Sequence, residues 1–258
     1  MFKYKNASEN VDIIIPNYNK GIYLKDCISS VIKQTYKNWF LYIIDDCSID
    51  NSLQILDSFK KIDNIKIIKL NKNMGPSFCR NLGIRNSKSK YISFLDSDDY
   101  WTDNKLQDQI NFMIKNKYNF TYTDYITIFE SKNNKKIKTN IKDSFTFEEF
   151  VRNSSINSST MIIERKLINN KKFKKINLLE DYLFKCEILK NNNKAYKLNK
   201  ESAFYRVIKN SRSKDVLKNL YFLWIINKQF NKLSFVDNIY SIFSISINSL
   251  KKYKLNKF

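Results

Sequence analysis

Between Val11 and Asn116 short apolar runs alternate with helix-length amphipathic segments in a regular order. Strand patterns fall at about 11–15, 39–45, 65–70 and 90–95, and helical patterns at about 21–35, 51–61, 76–87 and 103–116. Strands separated by a helix-length segment do not pair as hairpins; they close through right-handed crossovers into a mostly parallel sheet with helices on both faces. Gly75-Pro76 fits the start of the third helix, because proline is tolerated in a first turn. Open sheets of this kind bind ligands beyond the carboxyl ends of their strands. The residues that follow each strand are therefore where chemistry is expected.

Those residues are acidic at two strand ends. Tyr91-Ile92-Ser93-Phe94-Leu95 runs into Asp96-Ser97-Asp98-Asp99, and Phe40-Leu41-Tyr42-Ile43-Ile44 runs into Asp45-Asp46-Cys47-Ser48-Ile49-Asp50. The first strand, Val11-Asp12-Ile13-Ile14-Ile15, delivers Pro16-Asn17-Tyr18-Asn19, an aromatic face and amides. Three carboxylates within four positions repel one another, and a divalent metal or cationic partner offsets that repulsion. The plainer reading makes Asp96 to Asp99 turn and cap residues, with Asp99 or Thr102 opening the next helix. Two strands ending in the same chemistry weigh towards a site.

Composition narrows the chemistry. Histidine is absent from the 258 residues, which excludes Ser-His-Asp and Cys-His catalysis and leaves carboxylates as base and metal ligand. Any metal is then a hard, oxygen-seeking divalent cation, Mn²⁺ or Mg²⁺. No Gly-x-Gly-x-x-Gly follows the first strand and no Gly-Lys-Ser/Thr loop occurs, which argues against dinucleotide-binding and P-loop domains. A sugar-1-phosphate nucleotidyltransferase would also need a glycine-rich N-terminal loop that is missing. Cys27, Cys47, Cys79 and Cys186 are scattered, with neither zinc spacing nor a disulfide pattern. The net charge of +21 suits phosphate-bearing ligands, an anionic membrane or nucleic acid. Aspartates at the strand ends would repel a nucleic-acid backbone, so no nucleic-acid partner is expected. No run of 18 apolar residues occurs and Met1-Phe2-Lys3-Tyr4-Lys5-Asn6 lacks a leader core, so a cytoplasmic protein is expected.

After residue 118 the pattern changes. Phe120 to Phe129 alternates as a half-buried strand, Lys132 to Lys142 reads as a basic hairpin tip, and Thr146-Phe147-Glu148-Glu149 as a capping box. Ser158 to Ile163 reads as another strand, and Glu180-Asp181 heads a helical run from Tyr182 to Leu189, where acids commonly serve only the helix dipole. Val216 to Tyr253 mixes wide apolar faces with lysines, as core-packed helices, an interfacial amphipathic element or the contact of a homodimer would.

Taken together, Pro16-x-Tyr18-Asn19, Asp45-Asp46-x-Ser48-x-Asp50, Asn73-x-Gly75 with Arg80-Asn81-x-Gly83, Leu95-Asp96-Ser97-Asp98-Asp99 and Glu180-Asp181 resemble the family 2 inverting glycosyltransferases of the GT-A fold, over about residues 11–210. The resemblance implies a mostly parallel mixed α/β sheet flanked by helices. It divides the chain into a GT-A domain over 1–213 and a C-terminal helical extension over 214–258. Within the domain, about 11–100 would bind the nucleotide and about 101–213 would face the acceptor. It also implies a nucleotide-sugar donor, a UDP-sugar, and transfer to a hydroxyl of a glycan or lipid-linked acceptor in bacterial surface-glycan assembly. Such an enzyme would be peripheral on the cytoplasmic face of the inner membrane.

By the same resemblance Pro16, Tyr18 and Asn19 line the nucleotide, with Tyr18 stacked on the base and Asp46 accepting from uracil N3–H. Asp96 is expected on the ribose, Asp98 on the metal, Asp181 as general base and Glu180 as a group orienting the acceptor. Arg80 reads equally as a phosphate contact or as a brace for Asp96 or Asp98. Related enzymes often carry a histidine after a Tyr-Arg pair late in the domain. Here Tyr205-Arg206-Val207-Ile208-Lys209-Asn210-Ser211-Arg212-Ser213 has none, and Arg206, Lys209 or Arg212 stand as phosphate contacts instead. Trp101 reads as core.

Overall fold

The computed structural model describes residues 9–130, 135–208 and 215–254, with side chains to residue 250. Strands β1 (Val11–Asn17), β2 (Trp39–Asp45), β3 (Ile65–Lys69) and β4 (Tyr91–Phe94) alternate with helices α1 (Gly21–Ile32), α2 (Ser52–Asp57) and α3 (Pro76–Asn86). They pair in parallel in the order β3-β2-β1-β4. All seven residues of β2 and all four of β4 are buried, as near-continuous apolar runs demand when helices cover both faces. The four expected strands are all present, and the helices fall where expected. The second is shorter than its pattern, because Ser58 and Phe59 turn back onto Ile55 and Leu56 three residues earlier and tighten its end.

The remaining elements are β5 (Tyr100–Trp101), α4 (Lys105–Asn116), β6 (Phe120–Phe129), β7 (Lys135–Thr139), β8 (Ser144–Phe145), α5 (Phe147–Phe150), β9 (Ile162–Glu164), α6 (Arg165–Ile168), α7 (Glu180–Leu189), β10 (Ala195–Val207), α8 (Val216–Gln229) and α9 (Phe235–Lys254). β9 runs antiparallel between β4 and β6, β10 lies parallel to β6, and β5 closes the far edge. The sheet is therefore mixed, with its parallel half at the N-terminal side. β7 folds back on β6, so Lys135–Thr139, expected within a hairpin tip, is instead a paired strand; residues 131–134 lie outside the described residues. The capping box of α5 forms as its sequence requires, Thr146 and Glu149 each accepting the other's backbone amide.

Two expectations are corrected. The run from Ser158 is not strand throughout: Ser158–Thr160 is a 3₁₀ turn and extended pairing begins at Ile162. Asn157 Oδ1 accepts from Ser159 N at 2.8 Å and Thr160 Oγ1 donates to Asn157 O at 2.8 Å, so side chains here take backbone partners that a ladder would have used. Nor does Asp99 or Thr102 cap the helix that follows; α4 begins at Lys105 after Asn104, and Asp99 is fully buried.

The C-terminal helices dock through polar contacts. Tyr182 Oη donates to Asn227 Oδ1 at 2.9 Å, Asn227 Nδ2 donates to Ser241 Oγ at 2.9 Å, and Ser241 Oγ donates to Val151 O. No helix among the described residues is long and apolar enough to cross a membrane.

Candidate active site

The ends of β1 and β2 are tied by side chains. Asp45 accepts from Asn17 Nδ2 at 2.7 Å and from the Ser48 hydroxyl at 2.7 Å and amide at 3.0 Å. Asn19 sits in the left-handed region at φ 51°, with its amide donating to Ser48 Oγ and its side chain accepting from Ile49 N. Pro16 lies within β1, opposite Ile44, so the chain turns only after Asn17. The turn leaves Tyr18 46% exposed. Asp46, one residue beyond the brace, is buried and accepts from Met74 N at 2.6 Å on one oxygen and Gly75 N at 2.8 Å on the other. Gly75 has φ 85°, a backbone that side-chain-bearing residues rarely adopt, and it lets the loop present both amides to one carboxylate.

The end of β4 holds the second acidic group. Asp96 Oδ1 accepts from Arg80 at 2.7 Å, Asp98 Oδ2 pairs with Lys20 at 2.9 Å, and Asp99 accepts from Ser159 Oγ at 2.6 Å and Arg206 N at 3.0 Å. Burial, then repulsion from Asp98 and Asp96, pushes the Asp99 carboxyl well above the usual range. Asp98 is also raised, by burial against the opposing pull of Lys20 and with Asp96 adding to the rise. Arg80, from the second turn of α3, is buried and also donates to Glu180 Oε1 at 3.0 Å, so the brace extends further than to Asp96 alone.

Leu179 precedes α7 at φ 63°, a left-handed conformation costing about 1 kcal/mol or more for a branched residue. It turns the chain so that Glu180 and Asp181 open the helix beside Arg80 and Ser158. Asp181 Oδ2 accepts from Lys185 Nζ at 2.8 Å, one helical turn on, and from Ser158 Oγ at 3.0 Å. Lys185 is itself buried and donates to Ile156 O at 2.7 Å. Burial works to raise the Asp181 carboxyl, but Lys185 and Arg80 hold it well below the usual carboxylate range. Its Oδ1 makes no hydrogen bond among the described residues, and the side chain is 34% exposed.

Arg80 thus gathers Asp96 and Glu180, and the chain's order carries Asp98 and Asp181 beside them. Arg206 reaches the same edge, donating to the Asp98 carbonyl at 3.1 Å and to Asp26 at 2.8 Å and lying over the rings of Tyr100 and Tyr23. Lys209 and Arg212 lie outside the described residues. Trp101 is core, its indole N–H donating to Ser159 O at 2.7 Å. Sequence reading did not single out Lys20, Ser158, Ser159 or Lys185. Of these, only Lys185 carried a signal, its spacing of four from Asp181 on a helix.

A divalent cation fits these donors. Among the described residues no three His, Cys, Asp or Glu side chains form a ready cage. Mg²⁺-like ions, however, take one or two carboxylates and complete their shell with phosphate and water. Asp98, partly open and crowded by Asp96 and Asp99, is such a carboxylate.

The model of the family described as glycosyl transferase family 2 matches residues 12–177. The UDP-Glc:alpha-D-GlcNAc-diphosphoundecaprenol beta-1,3-glucosyltransferase WfgD of Escherichia coli is 34% identical over 252 residues, 94% of this chain and 94% of its own. WfaP of Escherichia coli, with the same descriptive name, is 32% identical over 253 residues, 95% of this chain and 96% of its own. The crystal structure of S. aureus TarS 1-349 in complex with UDP-GlcNAc superposes with a TM-score of 0.73 at 20% identity, over 96% of this chain and 75% of that one. TarS shares the architecture, and the GT-A fold expected from the motifs is the fold found. Relatives of this identity along nearly the whole length, with the family match across the strand-end acids, make the chain an enzyme: it belongs to glycosyl transferase family 2.

Proposed function

We propose that this glycosyltransferase moves a sugar from a UDP-sugar to a hydroxyl of a lipid-linked or glycan acceptor, with inversion at the anomeric carbon. The observation that carries the reading is the Arg80 bridge, which sets the donor-side acid Asp96 and the acceptor-side acid Glu180 against one guanidinium. Tyr18 would stack on uracil. Asp46 would accept N3–H on a lone pair left over from the Met74 and Gly75 amides; a carboxylate is acceptor-only, so it discriminates against cytosine. Asp96 would hold the ribose with the oxygen that Arg80 leaves open.

Asp98 would hold the cation, Mn²⁺ or Mg²⁺, with diphosphate oxygens and water. Such an ion offsets charge developing on the departing diphosphate. Lys20, now on Asp98, and Arg206, on the Asp98 carbonyl, would share that load. On the acceptor side, Asp181 Oδ1 is the open acceptor for the hydroxyl proton, while Lys185 and Ser158 fix Oδ2. Glu180, anchored on Arg80, would orient the sugar ring of the acceptor. The names of WfgD and WfaP describe glucosyl transfer from UDP-Glc to a GlcNAc-diphosphoundecaprenol, which supports a lipid-diphosphate acceptor and surface-glycan assembly.

A panel of nucleotide sugars with Mn²⁺, read as nucleoside diphosphate released, tests this. Turnover should favour a UDP-sugar over its CDP counterpart and should vanish in excess EDTA and in Asp98→Ala. Undiminished release in EDTA would remove the cation from the scheme, and equal use of CDP- and UDP-sugars would remove Asp46 from uracil recognition.

A further inference from the structure

Helix α9 packs Ile242 and Ile245 against the core and turns a second apolar row outward. Asn238 and Ser241 are buried against the body, whereas Phe235, Val236, Ile239, Tyr240, Phe243 and Leu250 are 49–73% exposed. Spacings of three and four from Val236 through Ile239, Tyr240 and Phe243 put these residues on one outward stripe. Helix α8, which packs on α9, likewise exposes Val216, Leu217 and Tyr221 at 62–79%. A run of large apolar side chains on this scale marks an interaction surface rather than scattered surface residues.

Charge selects the partner. From 214 to 258 the chain carries eight lysines and two aspartates. Lys228 and Lys232 are exposed just before the stripe begins, and Lys251, Lys252 and Lys254 follow its end in sequence. An apolar row bracketed by lysines matches an interfacial helix, which sinks its aromatic and aliphatic side chains to the acyl boundary while lysines reach the headgroups. Twenty residues of helix span about 30 Å, a length that lies along a bilayer surface. A symmetric second copy would set one lysine-rich segment against another, which anionic headgroups would not.

We propose that the outer face of α8 and α9 docks the enzyme on an anionic lipid bilayer. The proposal deepens the lipid-linked acceptor reading by naming the surface on which such an acceptor is met. Its test reads vesicle binding alone, so it stands or falls separately from turnover. Full-length protein is pelleted with phosphatidylglycerol/phosphatidylcholine vesicles and with pure phosphatidylcholine vesicles, at low and high salt. Beside it run Val236→Ser/Ile239→Ser/Phe243→Ser and Lys228→Glu/Lys232→Glu, with thermal melts to establish folding.

The parent should pellet with the anionic vesicles and much less with the neutral ones, with salt weakening the binding. Each variant should partition at least about tenfold less, since 1.4 kcal/mol suffices and three apolar side chains carry more than that. Should the triple variant unfold, Phe243→Ser and the lysine variant decide in its place. Parent protein left in the supernatant, equal pelleting of parent and variants, or equal pelleting on both lipids would overturn the proposal. So would a parent dimer, lost in the triple variant, that ignores vesicles.

Discussion

Asp181 shows how a single carboxylate is prepared for a proton. One oxygen is held by Lys185 and Ser158 and the other stays open, so the side chain has one orientation and one direction in which to accept. The same cation lowers its affinity for protons, which keeps the base ionised well into acid. For a depressed carboxyl the sign is fixed. Its contribution to stability is present above the unfolded value near 3.8 and is lost only as pH falls through the lower folded value. Asp181→Asn should bind UDP as the parent does and lose at least about a hundredfold in turnover, because the amide is nearly isosteric and takes no proton. Lys185→Met should behave differently. With burial no longer opposed by the ammonium, the acid limb of its pH–rate profile should move upward, and Lys185→Arg should move it back. Superimposable profiles for parent and Lys185→Met would take Lys185 out of the role of positioning residue.

At the scale of elements, helix α3 carries Arg80 to Asp96 and Glu180 and packs on β1 through Gly83. A Cβ there would stand 2.5 Å from Ile14 Cγ2, and Ile14 is fully buried in the sheet centre with nowhere to yield. The gain in helix propensity from Gly83→Ala, about 1 kcal/mol, is outweighed by overpacking of about 1–3 kcal/mol. The variant should melt several degrees lower and bind UDP more weakly, since α3 can relieve the clash only by shifting Arg80. A melt at or above the parent's would show that the helix has slack. Elements of this kind are readable in sequence because full burial on both faces leaves continuous apolar runs, as in β2, and because Gly75-Pro76 punctuates the helix start. Ser158–Thr160 was not readable as a turn, because its apolar continuation into Met161-Ile162-Ile163 looks like strand while local side-chain hydrogen bonds decide the backbone. The site's acids were legible from their positions after strands. Of the cations that hold them, Arg80 was legible as a brace and Lys185 by its spacing of four from Asp181, whereas Lys20 reaches Asp98 only through the fold.

For the whole molecule, Arg80 is a joint between the half that would bind nucleotide and the half that would meet the acceptor. Its guanidinium lies between Asp96 after β4 and Glu180 at the head of α7, a hundred positions away in sequence, and packs over the Phe173 ring at 5.3 Å. The pair Arg80–Glu180 is almost wholly withdrawn from solvent, with side-chain exposures of 6% and 9%. Forming such a pair contributes little net stability, because desolvation cancels most of the attraction. Removing one member is another matter, since the remaining charge is then buried without compensation, at about 3–5 kcal/mol. Arg80→Met should therefore lower the urea midpoint strongly and weaken UDP binding, while Arg80→Met/Glu180→Gln should recover part of the stability but not the binding. The two measurements separate because Glu180 is only a fold partner on the donor side, whereas Asp96, which Arg80 also orients, would touch the ribose. A urea midpoint for Arg80→Met equal to the parent's would mean that other contacts, such as those of Asn81 with Phe173, hold the two halves together without it.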